Sequence, residues 1–191
     1  MLRLSPYSVA DRKAQFDAVM KAHGLFGDVT KLAARIDAAR EAVRERLKGL
    51  GPGDALAGKL RAIDDKLEAA RKQIVATTEG GAITGEERIR EHLDQLYGAL
   101  DRWEGRPAKY KLDRIDVLRR ELGDVDQTVA AIVGKDARAL DDELKQRKLQ
   151  PLPAISALDR APDGDALAFQ CVASRGEHCD DEDVAAAQER D

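Results

Sequence analysis

The chain has 191 residues, 36% of them charged and only 4% aromatic, with a formal net charge of −4. That length suffices for one domain with a real core, and the composition is that of a helical bundle or coiled coil rather than of a cofactor-burying enzyme. Residues 151–191 hold ten acidic side chains against three basic ones, so the negative charge belongs to a C-terminal tail and the rest is close to neutral.

From Val9 to Leu50 apolar residues recur every three or four positions, through Phe16, Val19, Phe26, Val29, Leu32, Ile36, Val43 and Leu47. This spacing places them on one face of a helix. Ser8 followed by Asp11 approximates a capping box at its start, and Gly24 and Gly27 mark the place where the run would break if it were two helices. Gly51-Pro52-Gly53 ends the run, and Asp54 is placed to cap a second helix, Asp54 to Thr77, carrying Leu56, Leu60, Ile63, Leu67 and Ile74.

After the loop Glu79 to Thr84, a third run extends from Glu86 to Trp103 with Ile89, Leu93, Leu96 and Leu100, and Thr84 stands ready as its cap. Gly105-Arg106-Pro107 stops it. The fourth run, Ala108 to Leu149, carries Ile115, Leu118, Leu122, Val125, Val129, Ile132, Leu140 and Leu144. Strand alternation appears nowhere for a useful length.

The predicted fold is therefore all-α: an elongated antiparallel up-down four-helix bundle of two long and two short helices. At about 1.5 Å per residue the long helices span roughly 60 Å and the short ones roughly half that. Short connections favour antiparallel neighbours, so the short pair is expected beside one end of the long pair, leaving a two-helix stalk at the other. In that stalk Phe16, Val19, Met20, Leu25 and Phe26 would face Val129, Ile132, Val133, Leu140 and Leu144. So narrow a seam cannot cover that much apolar surface, which makes these residues, Val133 apart, the protein-interaction candidates. The cover would be the segment Pro151 to Ile155 folding back, a second copy of the chain, or another domain. Residues 1–155 form the bundle domain in this reading, and 156–191 an acidic tail expected to be largely disordered.

Chemistry is harder to find. Gly53 to Leu60 imitates a phosphate-binding loop, but Leu60 stands where Ser or Thr would reach magnesium and no strand precedes it. His23 and His92 lack a second ligand at metal spacing, and the residue three before His92 is Ile89, so no Glu-x-x-His motif of a di-iron bundle is present. Asp64-Asp65, Glu86-Glu87 and Asp141-Asp142 are adjacent in sequence and diverge by about 100° on a helix, so they form no acid/base pair. Cys171, His178 and Cys179 are the one cluster that offers metal ligation, a disulfide in an oxidising compartment, or two free thiols.

The expectation is therefore a chain without catalytic residues and without a cofactor. Acids and bases alternate along each helix, which argues against a nucleic-acid partner; Arg44, Arg46, Lys48 and Lys59 are the only candidates for a basic patch. No apolar stretch approaches the ~20 residues of a membrane span, and the N-terminus has no signal-peptide core. As written the chain reads as soluble and cytoplasmic.

Residues 105–155 carry a resemblance. Gly105-Arg106-Pro107-Ala108, Tyr110, Arg114-Ile115, Leu118, Leu122, Lys135-Asp136, Leu140, Leu144 and Leu149-Gln150-Pro151-Leu152 resemble the C-terminal helical region of bacterial sortilin-like proteins with Asp-box (BNR-repeat) β-propellers, often described as glycosyl hydrolase-like. The likeness extends back to Gln15-Phe16. Ala108 departs from the expected Thr and Asp141 from the expected Asn, and the chain holds no Ser-x-Asp-x-Gly-x-x-Trp box. The resemblance implies a non-catalytic accessory module of a larger propeller-containing protein, periplasmic or extracellular if that protein is exported. It implies no catalytic residue here. Two other functions stay open: a stand-alone cytosolic adaptor or dimer with a regulatory acidic tail, and a metal-binding module built on the Cys171, His178 and Cys179 cluster.

Overall fold

The computed structural model describes residues 6–51, 53–78 and 86–153. Helix α1 runs from Val9 to Leu47, α2 from Ala55 to Ile74, α3 from Ile89 to Asp101 and α4 from Lys109 to Ala131. The fourth run continues through one wide π turn, Ile132–Ala137, a tight 3₁₀ turn, Arg138–Leu140, and a short α5, Asp141–Gln146. The described residues are all-α, in the four runs that the periodicity predicts.

Local chemistry sets most of the boundaries. Ser8 Oγ accepts the Asp11 N–H at 3.1 Å, and Asp54 accepts the Leu56 N–H at 2.9 Å, so both expected caps are made. Helix α1 passes unbroken through Gly24 and Gly27. Helix α3 begins later than predicted, at Ile89, with Arg88 at the cap position and Glu91 accepting the Arg88 N–H at 3.1 Å. Thr84 lies outside the described residues. Gly105 takes φ +129°, a conformation open to glycine, and it turns the chain from α3 towards α4 directly beneath the Tyr7 ring.

Cross-helix contacts fix the directions. Arg40 pairs with Asp64 at 2.8 Å and also with Glu68, while Asp37 meets Arg71 at 2.7 Å, so α2 descends along the C-terminal half of α1. Gln15 donates to the Leu100 carbonyl at 3.0 Å, and the rings of His23 and Tyr97 lie 6.5 Å apart. Helix α3 therefore descends along the N-terminal half. The fourth run instead rises with α1: Asp11 meets Arg106 at 3.1 Å, Arg35 meets Asp126 at 3.4 Å, and Arg46 donates to the Gln150 and Pro151 carbonyls.

The two short helices thus stand end to end, and the expected side-by-side pair and two-helix stalk are corrected. Their 20 and 13 residues amount to about 30 and 20 Å of helix, which with the turn between them nearly matches the 39 residues, about 58 Å, of α1. Among the described residues any cross-section holds three helices rather than four. The two ends of the connection lie together. The N–H groups of Thr77 and Thr78 donate to the Glu86 carboxylate at 3.0 and 2.9 Å, and the Ala76 N–H reaches Glu91 at 3.3 Å. The chain leaves α2 and re-enters beside its point of departure. From there α3 resumes the direction of α2 instead of reversing, as its contacts with Gln15 and His23 show.

The core follows this three-rod plan from end to end. Leu25, Val29, Leu32 and Ile36 of α1, Leu60 and Leu67 of α2, Leu93 and Leu100 of α3, and Leu118 and Val129 of α4 are all buried. The wide turn adjusts the phase of the fourth run, so that Ala137 faces inward and Asp136 stays at the edge, 2.6 Å from Lys66. Lys148, at φ 57°, closes α5 by letting the Leu149 N–H reach the Leu144 carbonyl at 2.9 Å. Leu152 then packs on the core, so the start of the expected fold-back is observed; Ala154 and Ile155 lie outside the described residues.

Candidate protein-interaction surface

The nine interaction candidates separate once the directions are known. Val19, Leu25, Val129, Ile132, Leu140 and Leu144 belong to the core of the bundle, and Phe26 is half-buried against it. The α1 members lie under α3, and the fourth-run members lie alongside α2 and the far half of α1. They do not form one seam, because α1 and the fourth run are parallel. Of the nine, Phe16 and Met20 alone keep substantial exposure, at 55% and 37%.

Those two have company that the sequence reading missed. Val9 is 74% exposed on the same helix, and Val9, Phe16 and Met20 are spaced by seven and four residues. At 100° per residue this is a second stripe, roughly opposite the one formed by Ala18, Ala22, Leu25 and Val29. The period was visible in the sequence. Phe16 and Val19 stand three positions apart, so the periodicity alone assigns both to one face, which is wider than a single neighbour can cover. Beyond Met20 the outer face mixes the small Gly27, Ala34 and Ala38 with His23 and Lys31, and among the described residues no atom outside the helix's own neighbouring backbone lies within 4 Å of where a Cβ of Gly24 or Gly27 would stand.

Trp103, Tyr110 and Leu112 are also exposed around the α3–α4 turn, at the same end of the molecule. Lys111 Nζ sits 5.9 Å from the Trp103 ring centroid while donating to the Ala99 carbonyl at 2.8 Å, which ties the indole to the turn.

The charged side chains are mostly committed to the fold. Arg44 meets Asp64 at 3.8 Å, Arg46 holds backbone carbonyls, Lys48 pairs with Glu45, and Lys59 meets Glu143 at 2.6 Å. The four candidates for a basic patch are thus partnered within the chain. Donation from the Thr77 backbone, followed by Thr78, holds the Glu86 carboxyl down at about 2. The hydrogen bond from Ser8, followed by that from Arg106, lowers Asp11. Arg35 lies against Asp126, and its Nη2 is enclosed without a hydrogen-bond partner among the described residues.

His92 lies 3.4 Å from Glu87, and His23 is exposed beside Tyr97. Among the described residues no three His, Cys, Asp or Glu side chains converge on a metal-sized space. Cys171, His178 and Cys179 lie outside the described residues. No described helix is long and apolar enough to cross a membrane.

Among the described residues, fold and surface define an all-α bundle, three helices to a cross-section, with exposed apolar residues on the outside of its longest helix. No family model, no curated protein and no solved structure matches the chain.

Proposed function

We propose that this chain is a non-catalytic helical module that binds another protein through the outward face of α1. The observation that carries this reading is the exposure of Val9, Phe16 and Met20 on the side of α1 that points away from the bundle core. A bundle needs one apolar stripe per rod, and a second one lowers solubility unless a partner covers it. The likeness of residues 105–155 to the helical region of propeller-bearing proteins makes a β-propeller domain one partner that such a face would serve.

The test places a photo-crosslinking amino acid at position 16 of the full chain and, as a control, at the exposed position 90 of α3. In the cells that make the protein, position 16 should join a discrete protein species and position 90 should not. Equal, diffuse labelling at both positions would sink the reading.

A further inference from the structure

Residues 150–153 follow α5 as a non-helical strap laid on the bundle: Gln150, Pro151 and Pro153 are exposed, and Leu152 alone is half-buried against the core. Its polar attachment is a single side chain. Arg46 donates from Nε to the Gln150 carbonyl at 3.1 Å and from Nη2 to the Pro151 carbonyl at 2.9 Å, while its Nη1 holds the Ala42 carbonyl of its own helix at 2.9 Å. The strap gives nothing in return. Pro151 and Pro153 have no N–H to donate, and among the described residues neither Gln150 nor Leu152 makes a backbone N–H hydrogen bond.

The seat beneath is incompletely filled. Leu152 and Pro153 roof a void of about 10 Å³ whose floor includes Ala39 and Val43 of α1 and Val133 and Ala137 of the fourth run. A void of that size with an apolar lining stays dry, so the leucine forfeits contacts on that side. Val133 and Ala137 both come from the wide π turn, an irregularity that helices frequently carry at functional sites.

We propose that residues 150–153 are a latch that opens and closes over this seat while the bundle stays folded, with Arg46 as its polar hold. Two hydrogen bonds at the surface and one loosely packed leucine must offset the freedom lost by four ordered residues. Most of the core is covered instead by helices, whose backbone groups bond one another. The strap lacks that support, which puts it at the low end of local stability. Closed, it fills the seat with the chain's own leucine. Open, it bares an apolar seat of one leucine's width between α1 and the fourth run.

Thiol labelling of the full chain by iodoacetamide tests the latch, with circular dichroism as the check on folding. In a Cys171→Ser, Cys179→Ser background, Ala39→Cys, Ala22→Cys and Ala57→Cys each place one thiol at a buried position: under the strap, in the N-terminal half of α1, and at the start of α2. Position 39 should label at least about tenfold faster than the other two. Arg46→Ala removes the hold and should raise the rate at position 39 by roughly tenfold. Pro151→Gly keeps both carbonyls that Arg46 grips and frees the open strap, so it should raise that rate by about threefold. Neither change should move the rate at position 22 by more than about twofold.

Equal rates at positions 39 and 22, or a rate at position 39 that neither Arg46→Ala nor Pro151→Gly moves, overturns the latch. Position 57 labelling as fast as position 39 would mean that the whole end of the bundle frays, and overturns it as well.

Discussion

Leu144 and Phe16 should differ sharply when each is cut back to alanine. A two-helix seam would hold both in equivalent surroundings, whereas the observed fold fully buries Leu144 beneath the start of α2 and leaves Phe16 55% exposed on the outside of α1. Truncating a fully buried leucine removes its transfer free energy and leaves a cavity, together about 3 kcal/mol. With a urea slope of about 2 kcal/mol per molar, the unfolding midpoint of Leu144→Ala should fall by about 1.5 M. Phe16→Ala gives up contacts on one side of a ring that already meets water, and should cost under about 1 kcal/mol, a shift below about 0.5 M. Circular dichroism during urea titration, at chain concentrations low enough to exclude self-association, reads both. Equal shifts would refute the three-rod arrangement.

Gly105→Ala should destabilise the fold by about 1–3 kcal/mol, since φ +129° strains any side chain and the new Cβ would lie 2.7 Å from the Tyr7 ring; thermal melting checks this. Gly24→Ala acts in the opposite direction, adding about 0.5–1 kcal/mol, because the position is helical, exposed and open. Glu86→Gln should lower the midpoint at neutral pH by weakening the clasp on Thr77 and Thr78. The Glu86 carboxyl is depressed to about 2 from 4.5, so its contribution is full above the unfolded value and is lost as pH falls through about 2. The difference between parent and Glu86→Gln should accordingly be constant above about pH 5 and close towards pH 2, in denaturant titrations run across that range.

The number, type and approximate bounds of the helices were legible because they depend on local periodicity and caps, as at Ser8 and Asp54. Direction was not. Whether the third run turns back along α2 or carries straight on depends on contacts such as Gln15 with Leu100 and His23 with Tyr97, between residues more than seventy positions apart. No period encodes such contacts. The direction of α3 also sets the candidate surface, since reversing α3 reverses the fourth run relative to α1 and moves Val129, Ile132, Leu140 and Leu144 from an open seam into the core. The wide turn at Ile132–Ala137 was hidden for a related reason. Its neighbours Ile132 and Val133 are both buried, and adjacent apolar residues fit either phase of a helix.

The fourth run supplies an internal control for the meaning of the α1 stripe. It is nearly as long as α1, runs parallel to it and shares its core, yet beyond the exposed Tyr110 and Leu112 of its first turn its outer side carries Asp113, Arg120, Asp124 and Gln127. A solvated outer face is thus available to a rod in this position, and α1 departs from it at Val9, Phe16 and Met20. Giving α1 the same character, with Phe16→Arg and Met20→Gln, removes no core contact and leaves the helix with good formers. The unfolding midpoint at low concentration should therefore move by less than about 0.5 kcal/mol equivalent, the expectation for surface sites. Binding is the discriminating readout. The protein species crosslinked from position 16 should co-purify with the parent and be lost from the Phe16→Arg, Met20→Gln chain; equal co-purification with both would mean that the stripe has no part in binding.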